Sequence, residues 1–215
     1  MAGYIPILLD CEDHPCLVVG GGMIAERKTQ ALLEAKAKVT VISPELTQGL
    51  FMLYVANRIV WEARVFAGGD TKRYWIVHAA TDQAMVNQQI AEEAKMNGIP
   101  VNVASHVEES TFINPAVMRR GRLTIAVSTE GAGPVVASSI CKLLNEQYGD
   151  EYEIYLEFLY MMRTEIKKRV DSPKRRHTLL RKLTEYPILE EIRHGIFKAW
   201  NETQIQRWIV KNEED

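Results

Sequence analysis

Two hydrophobic periods alternate along the first hundred residues. Short runs rich in β-branched and aromatic residues predict strands at residues 5–9, 16–19, 38–42, 59–61, 75–79 and 99–103. Between them, residues 24–35 and 82–97 have the composition of helices, and the second segment ends on a Gly/Pro stop signal. Because strands that alternate with helices are joined by right-handed crossovers, this pattern predicts a parallel sheet and an α/β fold.

The pattern changes beyond the last of these runs. Residues 110–113 and 123–128 are β-rich with no full helix between them, which predicts an antiparallel pair of strands. A helix over residues 135–144 follows. The last third of the chain has only helical periodicity, and breaks before Pro173 and Pro187 divide it into three or four helices.

The sharpest motif lies at residues 17–25, Leu-Val-Val-Gly-Gly-Gly-Met-Ile-Ala, between a predicted strand and a predicted helix. Its G-x-G-x-x-A spacing places Gly20 in a tight turn, Gly22 where the backbone approaches a pyrophosphate, and Ala25 where the helix packs on the strand. The helix N-terminus would point amides and partial positive charge at the diphosphate. This predicts a Rossmann-like dinucleotide-binding unit, with a turn that holds no ligand as the alternative. The predicted cofactor contacts are Gly20, Gly21, Gly22, Met23 and Ile24.

Two further strand ends should reach the same edge of the sheet. Ser43 and Pro44 follow the second strand of the unit and are predicted cofactor contacts, joined by Glu45 if the turn brings it back. No basic residue follows closely enough to hold a 2′-phosphate, so NAD is favoured over NADP. Thr81 or Asp82 is expected to cap the next helix, and Thr81 is also a predicted cofactor contact.

Composition and charge narrow the class of protein. With 215 residues, 47% hydrophobic and 25% charged, the chain is an ordinary globular protein and not a disordered, collagen-like or disulfide-scaffold one. The net charge of −2 hides a local +7 at residues 163–182, where nine Lys or Arg meet two Asp or Glu. The three cysteines lack a metal-ligand spacing, and we expect neither a secretory leader nor a membrane-spanning helix. A cytoplasmic protein that binds neither metal, membrane nor nucleic acid is expected.

Together these motifs resemble the precorrin-2 dehydrogenase / sirohydrochlorin ferrochelatase family, which includes the N-terminal half of siroheme synthase. The string G-G-G-x-x-A-x-R-K at residues 20–28 is its most specific part, and beyond residue 148 only the helical character agrees. The matching segments are residues 4–7, 16–22 with 25–28, 39–44, 79–82 with Asn87, 102–103, 110–116 and 125–131.

The resemblance implies a three-part chain. It comprises an NAD-binding domain at residues 1–113, a small α+β dimerisation region at 114–148 and an all-helical tetrapyrrole-binding domain at 149–215. Family members are homodimers that use NAD⁺ to dehydrogenate precorrin-2 to sirohydrochlorin on the way to siroheme, and some also insert ferrous iron. A stand-alone form is expected, because 215 residues leave no room for the methyltransferase domain of the bifunctional relatives.

The implied substrate is strongly anionic, since precorrin-2 carries many acetate and propionate groups. The basic segment at residues 163–182 would attract it with a strong salt dependence, unless these side chains only form a solvated helix face. The resemblance also implies that Ser128 and Thr129 bind substrate carboxylates through their hydroxyls, with polar caps of a strand end as the alternative. It places Asn102 among the cofactor contacts.

One position departs from the family pattern. The Asp given the acid–base role in the family follows the Asn102-Val103 pair, and here Ser105 stands in its place. A Ser hydroxyl needs another group to activate it near neutral pH. His106 is the candidate, because an imidazole has an ordinary pKa of about 6.5, although on a continuing strand it would face the opposite way. Ser105 and His106 are the predicted catalytic residues, with water as the alternative proton acceptor.

Loss of that carboxylate also predicts little or no chelatase activity, because iron insertion needs a proton acceptor and a hard ligand. Two other functions stay open. One is a non-catalytic tetrapyrrole or NAD(H)-binding module that has lost its acid–base residue, and the other is a sirohydrochlorin metallochelatase. The intact cofactor half favours the dehydrogenase over both.

Overall fold

A computed structural model describes residues 3–213, with side chains up to Asn212. The chain divides into two compact units, Met1–Asn114 and Pro115–Asp215. The predicted division between residues 148 and 149 falls inside the second unit and stays a prediction.

Five parallel strands form the centre of the first unit. They are β1 (Pro15–Val19), β2 (Lys38–Ile42), β3 (Val60–Glu62), β4 (Ile76–Ala79) and β5 (Val101–Val103). Their order in the sheet is β3-β2-β1-β4-β5, so the winding direction reverses between β1 and β4. Open α/β sheets bind their ligands at such a switch point, outside the carboxyl ends of the strands. The predicted parallel α/β fold is confirmed.

Helices cover both faces of this sheet. They are α1 (Met23–Glu34), α2 (Gln48–Val55) and α3 (Ala84–Met96), with single turns of 3-10 helix at Asp70–Arg73 and Val107–Glu109. Alternate strand residues point to opposite faces, so two apolar clusters result. The cluster under α1 includes Val18, Ala25, Leu32 and Ile76. The cluster under α3 includes Leu17, Val77, Ile90 and Ala94.

Three elements differ from the sequence-based expectation. No strand forms at residues 5–9, where Ile5 and Leu8 are each 82% exposed and the β-rich run has no partner strand. Residues 110–113 are not a strand either: Ser110 and Thr111 bond β5 through their hydroxyls, and one main-chain bond, from the Thr111 N–H to the Val101 carbonyl at 2.8 Å, does not extend into a ladder. The α2 helix was missed, since its sequence is almost entirely apolar and so lacks a helical period. The Thr47 hydroxyl caps it by accepting the N–H of Leu50 at 3.3 Å.

The second unit begins with the predicted antiparallel pair, but with a different first strand. Strand β6 (Ala116–Arg120) pairs with β7 (Leu123–Val127) across a tight turn. Five helices follow, the first of them with Pro134 in its first turn as expected. They are α4 (Pro134–Gln147), α5 (Glu151–Arg169), α6 (Pro173–Thr184), α7 (Ile188–Arg193) and α8 (Glu202–Glu213).

The last four helices enclose one apolar core, which confirms the expected helical region. The predicted stripe on α5 lies against this core, with Phe158 and Met162 buried and Tyr155 and Leu159 packed beside them. Both predicted breaks separate helices, at Ser172 before α6 and at Pro187 before α7. Within the described part of the chain no helix is long and apolar enough to cross a bilayer.

Candidate active site

The glycine turn lies at the switch point of the sheet, directly after β1. Gly20 has φ +121°, and a Cβ atom there would lie 2.3 Å from the carbonyl oxygen of Ala80. Its N–H donates to the carbonyl of Ile42 at 2.9 Å. The backbone therefore passes between β2 and β4 with no room for a side chain, which is why glycine is required.

The next two glycines have opposite surroundings. A Cβ at Gly21 would lie 1.8 Å from the carbonyl oxygen of Glu45, because the loop after β2 folds back on the turn and Thr47 donates its N–H to the Gly21 carbonyl at 2.8 Å. A Cβ at Gly22 would meet nothing within 4 Å. Gly22 is the N-cap of α1 and supplies no side-chain acceptor to it. The positive end of α1 is thus open at Gly22, which fits a bound pyrophosphate.

The other predicted cofactor contacts surround this open helix end. Met23 and Ile24, in the first turn of α1, are 72% and 47% exposed. Ser43 is buried: its N–H donates to the carbonyl of Glu62 at 3.2 Å, and its hydroxyl adjoins Gly21. Pro44 is exposed beside it. Their contact with a cofactor stays a prediction, and the return of the Glu45 backbone to the glycine turn supports it.

Thr81 belongs to a rigid turn after β4. Its hydroxyl donates to Oδ1 of Asn87 at 2.7 Å, and the Asn87 amide returns a hydrogen bond to the Thr81 carbonyl at 3.0 Å. The expectation that Thr81 or Asp82 caps the helix is wrong, because α3 starts later, with Gln83 as an N-cap that makes no side-chain bond. Asn87, 1% exposed, holds the Thr81 turn in place; the sequence resemblance includes this residue but assigns no role to it.

The predicted catalytic residues lie on a loop that leaves the same edge of the sheet. Because β5 ends at Val103, the objection that applies to a continuing strand does not arise, and Nδ1 of His106 lies 2.8 Å from Oγ of Ser105. The loop is tied to the sheet where it starts, since the N–H of Ala104 donates to the carbonyl of Ala79 at 2.9 Å. The two side chains therefore form a hydrogen-bonded pair.

A buried polar cluster lies behind this edge, on the face that α1 covers. Lys28 of α1 donates to Oδ1 of Asn102 at 2.5 Å, and Asn102 pairs in register with His78 of the neighbouring strand. Burial, together with Arg27, lowers the pKa of Lys28 to about 8. Burial, together with the Lys28 ammonium, lowers the pKa of His78 to about 3. His78 is therefore a neutral side chain of the sheet.

This buried histidine should make the first unit sensitive to acid. The folded pKa of His78 lies below the ordinary 6.5, so the unfolded chain takes up the proton first and stability is lost as pH falls from 6.5 towards 3. We compare the unfolding free energy of the native chain with that of His78→Leu at each pH. The native value should fall by about 1.4 kcal/mol per pH unit more than the variant's between about pH 6 and pH 4. Urea unfolding, with hydrogen exchange of the β4 amides as the local readout, measures this. The exposed control His14→Gln should keep the native slope; equal slopes for His78→Leu and the native chain would refute the assignment.

In the second unit, Ser128 and Thr129 lie at the end of β7. Their hydroxyls accept the backbone N–H groups of Glu130 at 3.1 Å and Gly133 at 3.2 Å. This is the geometry of polar caps at a strand end, and their contact with a substrate stays a prediction. Among the described residues no group of three or more His, Cys, Asp or Glu is arranged to hold a metal ion.

The basic segment at residues 163–182 is only partly free. Arg169 is paired with Glu165 and Glu202, each at 3.0 Å, and Arg176 donates to the Val170 carbonyl at 2.5 Å. Lys168 is exposed and pairs with Glu165 at 2.8 Å. Five further cations of the segment are also exposed. These are Arg163, Lys167, Lys174, Arg175 and Arg181.

A glycine turn at the switch point of a parallel sheet, opening on an uncapped helix, defines a Rossmann-type NAD(P)-binding protein. Comparison with known families agrees: residues 7–116 match the putative NAD(P)-binding family, and the chain belongs to it. The predicted nicotinamide dinucleotide cofactor is confirmed. Within this class the resemblance to the precorrin-2 dehydrogenase family seen in the sequence is confirmed by individual relatives.

Individual relatives cover nearly the whole chain. It is 33% identical to siroheme synthase of Ruthia magnifica subsp. Calyptogena magnifica over 94% of its length, and 36% identical to siroheme synthase of Methylobacillus flagellatus over 89%. It spans 43% and 41% of those two proteins. A solved structure of SirC, a precorrin-2 dehydrogenase, superposes with a TM-score of 0.75 at 27% identity, covering 99% of this chain and 100% of that one.

Proposed function

We propose that the chain is an NAD-dependent dehydrogenase that converts precorrin-2 to sirohydrochlorin. The observation that carries the proposal is the open N-terminus of α1 at Gly22, beside a loop that holds a paired Ser105 and His106. The first can hold the cofactor phosphates and the second can accept a proton. The likeness to SirC supplies the substrate class.

NAD rather than NADP is the proposed cofactor. Residues 43–57, which follow β2, contain no Lys or Arg. Arg64, which follows the neighbouring strand β3, is occupied by carboxylates: it donates to Asp70 at 2.6 Å and to Glu62 at 3.0 Å. A 2′-phosphate would therefore meet no free cation from these segments, whereas Ser43 and Glu45 suit a ribose hydroxyl.

The proposed chemistry divides two hydrogens between cofactor and protein. When bound, oxidised nicotinamide accepts one hydrogen from the substrate with both electrons of its bond. The second hydrogen leaves as a proton. Ser105 accepts this proton while its own hydroxyl proton passes to Nδ1 of His106, so the pair together acts as the base. Extended conjugation in the product supplies driving force.

Chelation is expected to be weak or absent. A hydroxyl at position 105 is a poorer ligand for Fe(II) than the carboxylate that the family carries there. Sirohydrochlorin-dependent insertion of iron or cobalt by the purified protein, lost in His106→Ala, would contradict this part of the proposal.

The second unit is proposed to supply the dimer contact and the substrate carboxylate contacts. For the dimer, the support is an exposed apolar surface on β6 and α4, in the region proposed for dimerisation, residues 114–148. Its members are Val117, Val135, Val136, Ile140 and Leu143. For the substrate, the support is the set of exposed cations at residues 163–182, on helices of the proposed tetrapyrrole-binding domain. A reducing, cytoplasmic location is proposed from three free thiols, Cys11, Cys16 and Cys141.

The proposal is tested by mixing the protein with precorrin-2 and NAD⁺ and following the absorbance of sirohydrochlorin and NADH. Both products should appear together and faster than in the protein-free control, and NADP⁺ should support a much lower rate. Tight binding of both ligands by calorimetry without any turnover would instead identify a non-catalytic binding module, and would refute the dehydrogenase.

A further inference from the structure

A chain of hydrogen bonds connects α1 with the segment that follows β5. Nζ of Lys28 donates to Oδ1 of Asn102 at 2.5 Å, and Nδ2 of Asn102 donates to the carbonyl of Phe112 at 3.1 Å. Asn102 is 6% exposed. Both ends of its amide are thus used inside the fold, so this side chain joins two segments rather than offering an amide to a ligand.

Each end of this chain belongs to a functional part of the first unit. Lys28 lies on the inward face of α1, one turn after Ala25, on the helix whose N-terminus opens at Gly22. Phe112 ends the segment that closes the loop carrying Ser105 and His106. The Lys28–Asn102 contact therefore connects the cofactor side of the site with its proton-accepting side.

The closing segment is fastened to β5 along its length. The hydroxyl of Ser110 accepts the N–H of Val103 at 2.8 Å, and the hydroxyl of Thr111 accepts the N–H of Val101 at 2.8 Å. Asn102, whose side chain lies on the face of the sheet that α1 covers, adds the third connection. Since the loop is tied at both ends, a shift at its base is transmitted to the side chains it carries.

The pair carries a cost that packing alone does not explain. Lys28 has an amide as its partner rather than a carboxylate, and the neighbouring His78 is neutral and packs its ring edge-to-face on Phe112 at 5.4 Å. Burial disfavours the Lys28 ammonium, as its lowered pKa records. An apolar side chain of similar length would fill the same space without this desolvation penalty. Because the Lys28–Asn102 pair is not the most stable way to fill this space, we infer that it has a role beyond stability.

We propose that Lys28 and Asn102 are positioning residues for the reaction, which fix the loop bearing Ser105 and His106 relative to the helix end that receives the cofactor phosphates. This inference rests on the proposed dehydrogenation. It also moves Asn102 from direct cofactor contact to support of the loop. Misplacement of a reacting group by about 1 Å can cost about a hundredfold in rate.

The test separates turnover from cofactor binding. Lys28→Met keeps the aliphatic stem and removes the donor, so kcat should fall by about tenfold or more, while the Kd for NAD⁺, measured without tetrapyrrole, should stay within about threefold. Lys28→Arg, which retains a donor, should recover part of the loss. Because Asn102→Leu already removes the Lys28 contact together with the bond to Phe112, adding Lys28→Met to it should lower kcat no further than the stronger single variant. The control Lys95→Met, at an exposed position, should have the kcat and the Kd for NAD⁺ of the native enzyme.

Each outcome is informative. Native kcat in Lys28→Met, or a loss of NAD⁺ affinity that parallels the loss of kcat, overturns the positioning role. Additive effects of the two substitutions also overturn it, since they would show independent functions. If thermal melting shows that Lys28→Met does not fold, kcat and the Kd for NAD⁺ are compared in Lys28→Arg and Asn102→Leu instead. Failure of the native protein to turn over precorrin-2 refutes the proposed function instead, and is seen before any variant is made.

Discussion

Replacing Gly22 by Asp should abolish NAD⁺ binding without unfolding the protein. The position has room, because a Cβ atom there meets nothing within 4 Å and the backbone φ of −85° suits any residue. An Asp at an N-cap stabilises a helix by about a few tenths of a kcal/mol relative to the Gly that it replaces. Its carboxylate would also occupy the helix end that the pyrophosphate needs, and would repel it. Affinity should fall by about a hundredfold or more, while the melting temperature stays level or rises.

Calorimetric titration with NAD⁺ and thermal melting of the same samples test this prediction. Gly21→Ala is the matched control, because it should lower the melting temperature whereas Gly22→Asp should not. Its Cβ would lie 1.8 Å from the Glu45 carbonyl oxygen, so the loop after β2 must move and the melting temperature should drop. NAD⁺ affinity close to native in Gly22→Asp would rule out the glycine turn as the phosphate site.

The second large effect is expected at His106. Substitution by Ala removes the partner that lies 2.8 Å from Ser105, and the hydroxyl alone is a weak base. General acid–base groups contribute about 10²–10⁴-fold to rate, so kcat should fall by about a hundredfold or more with NAD⁺ affinity unchanged. Steady-state kinetics with precorrin-2 measure the first quantity, and titration without substrate measures the second.

A rescue experiment decides whether the pair replaces the carboxylate of the family. Adding Ser105→Asp to His106→Ala places a carboxylate where the resemblance implies that the family carries one, and should restore a large part of the lost rate. If His106→Ala alone turns over at the native rate, water or another group takes the proton and the pair has no catalytic role.

Most of the first unit follows from local patterns in the sequence. Strand β2 has the predicted bounds, and α1 differs from its prediction by one residue at each end, because the apolar spacing of these segments matches their burial. The errors have physical causes. Residues 110–113 have strand-like composition, but Ser110 and Thr111 bond the edge of β5 with their hydroxyls instead of forming a strand. Local composition does not distinguish a hydroxyl that bonds a strand from a residue within one.

The candidate site was predictable only where its constraints are local. The glycine turn is such a case, since its spacing between a strand and a helix is contained in nine consecutive residues. The atoms that exclude side chains at Gly20 and Gly21 are distant in sequence, at Ala80 and Glu45. The Ser105–His106 contact depends on where β5 ends, which hydrophobic alternation does not set to the residue. Lys28 and Asn102 are 74 positions apart, so no sequence window contains both. Their contact exists only because α1 covers the face of the sheet to which Asn102 points.

The loop after β5, which is hydrogen-bonded to the sheet at both ends, has a consequence for how the type of reaction can change in this fold. Its anchors are main-chain groups of Ala79, Val101 and Val103 together with side chains outside the loop tip, so none of them involves the side chains at 105 or 106. Exchanging those two side chains leaves every anchor in place. Divergence between oxidation and metal insertion would then require substitutions at adjacent codons rather than a redesigned core, and descendants with different chemistries would keep superimposable frameworks.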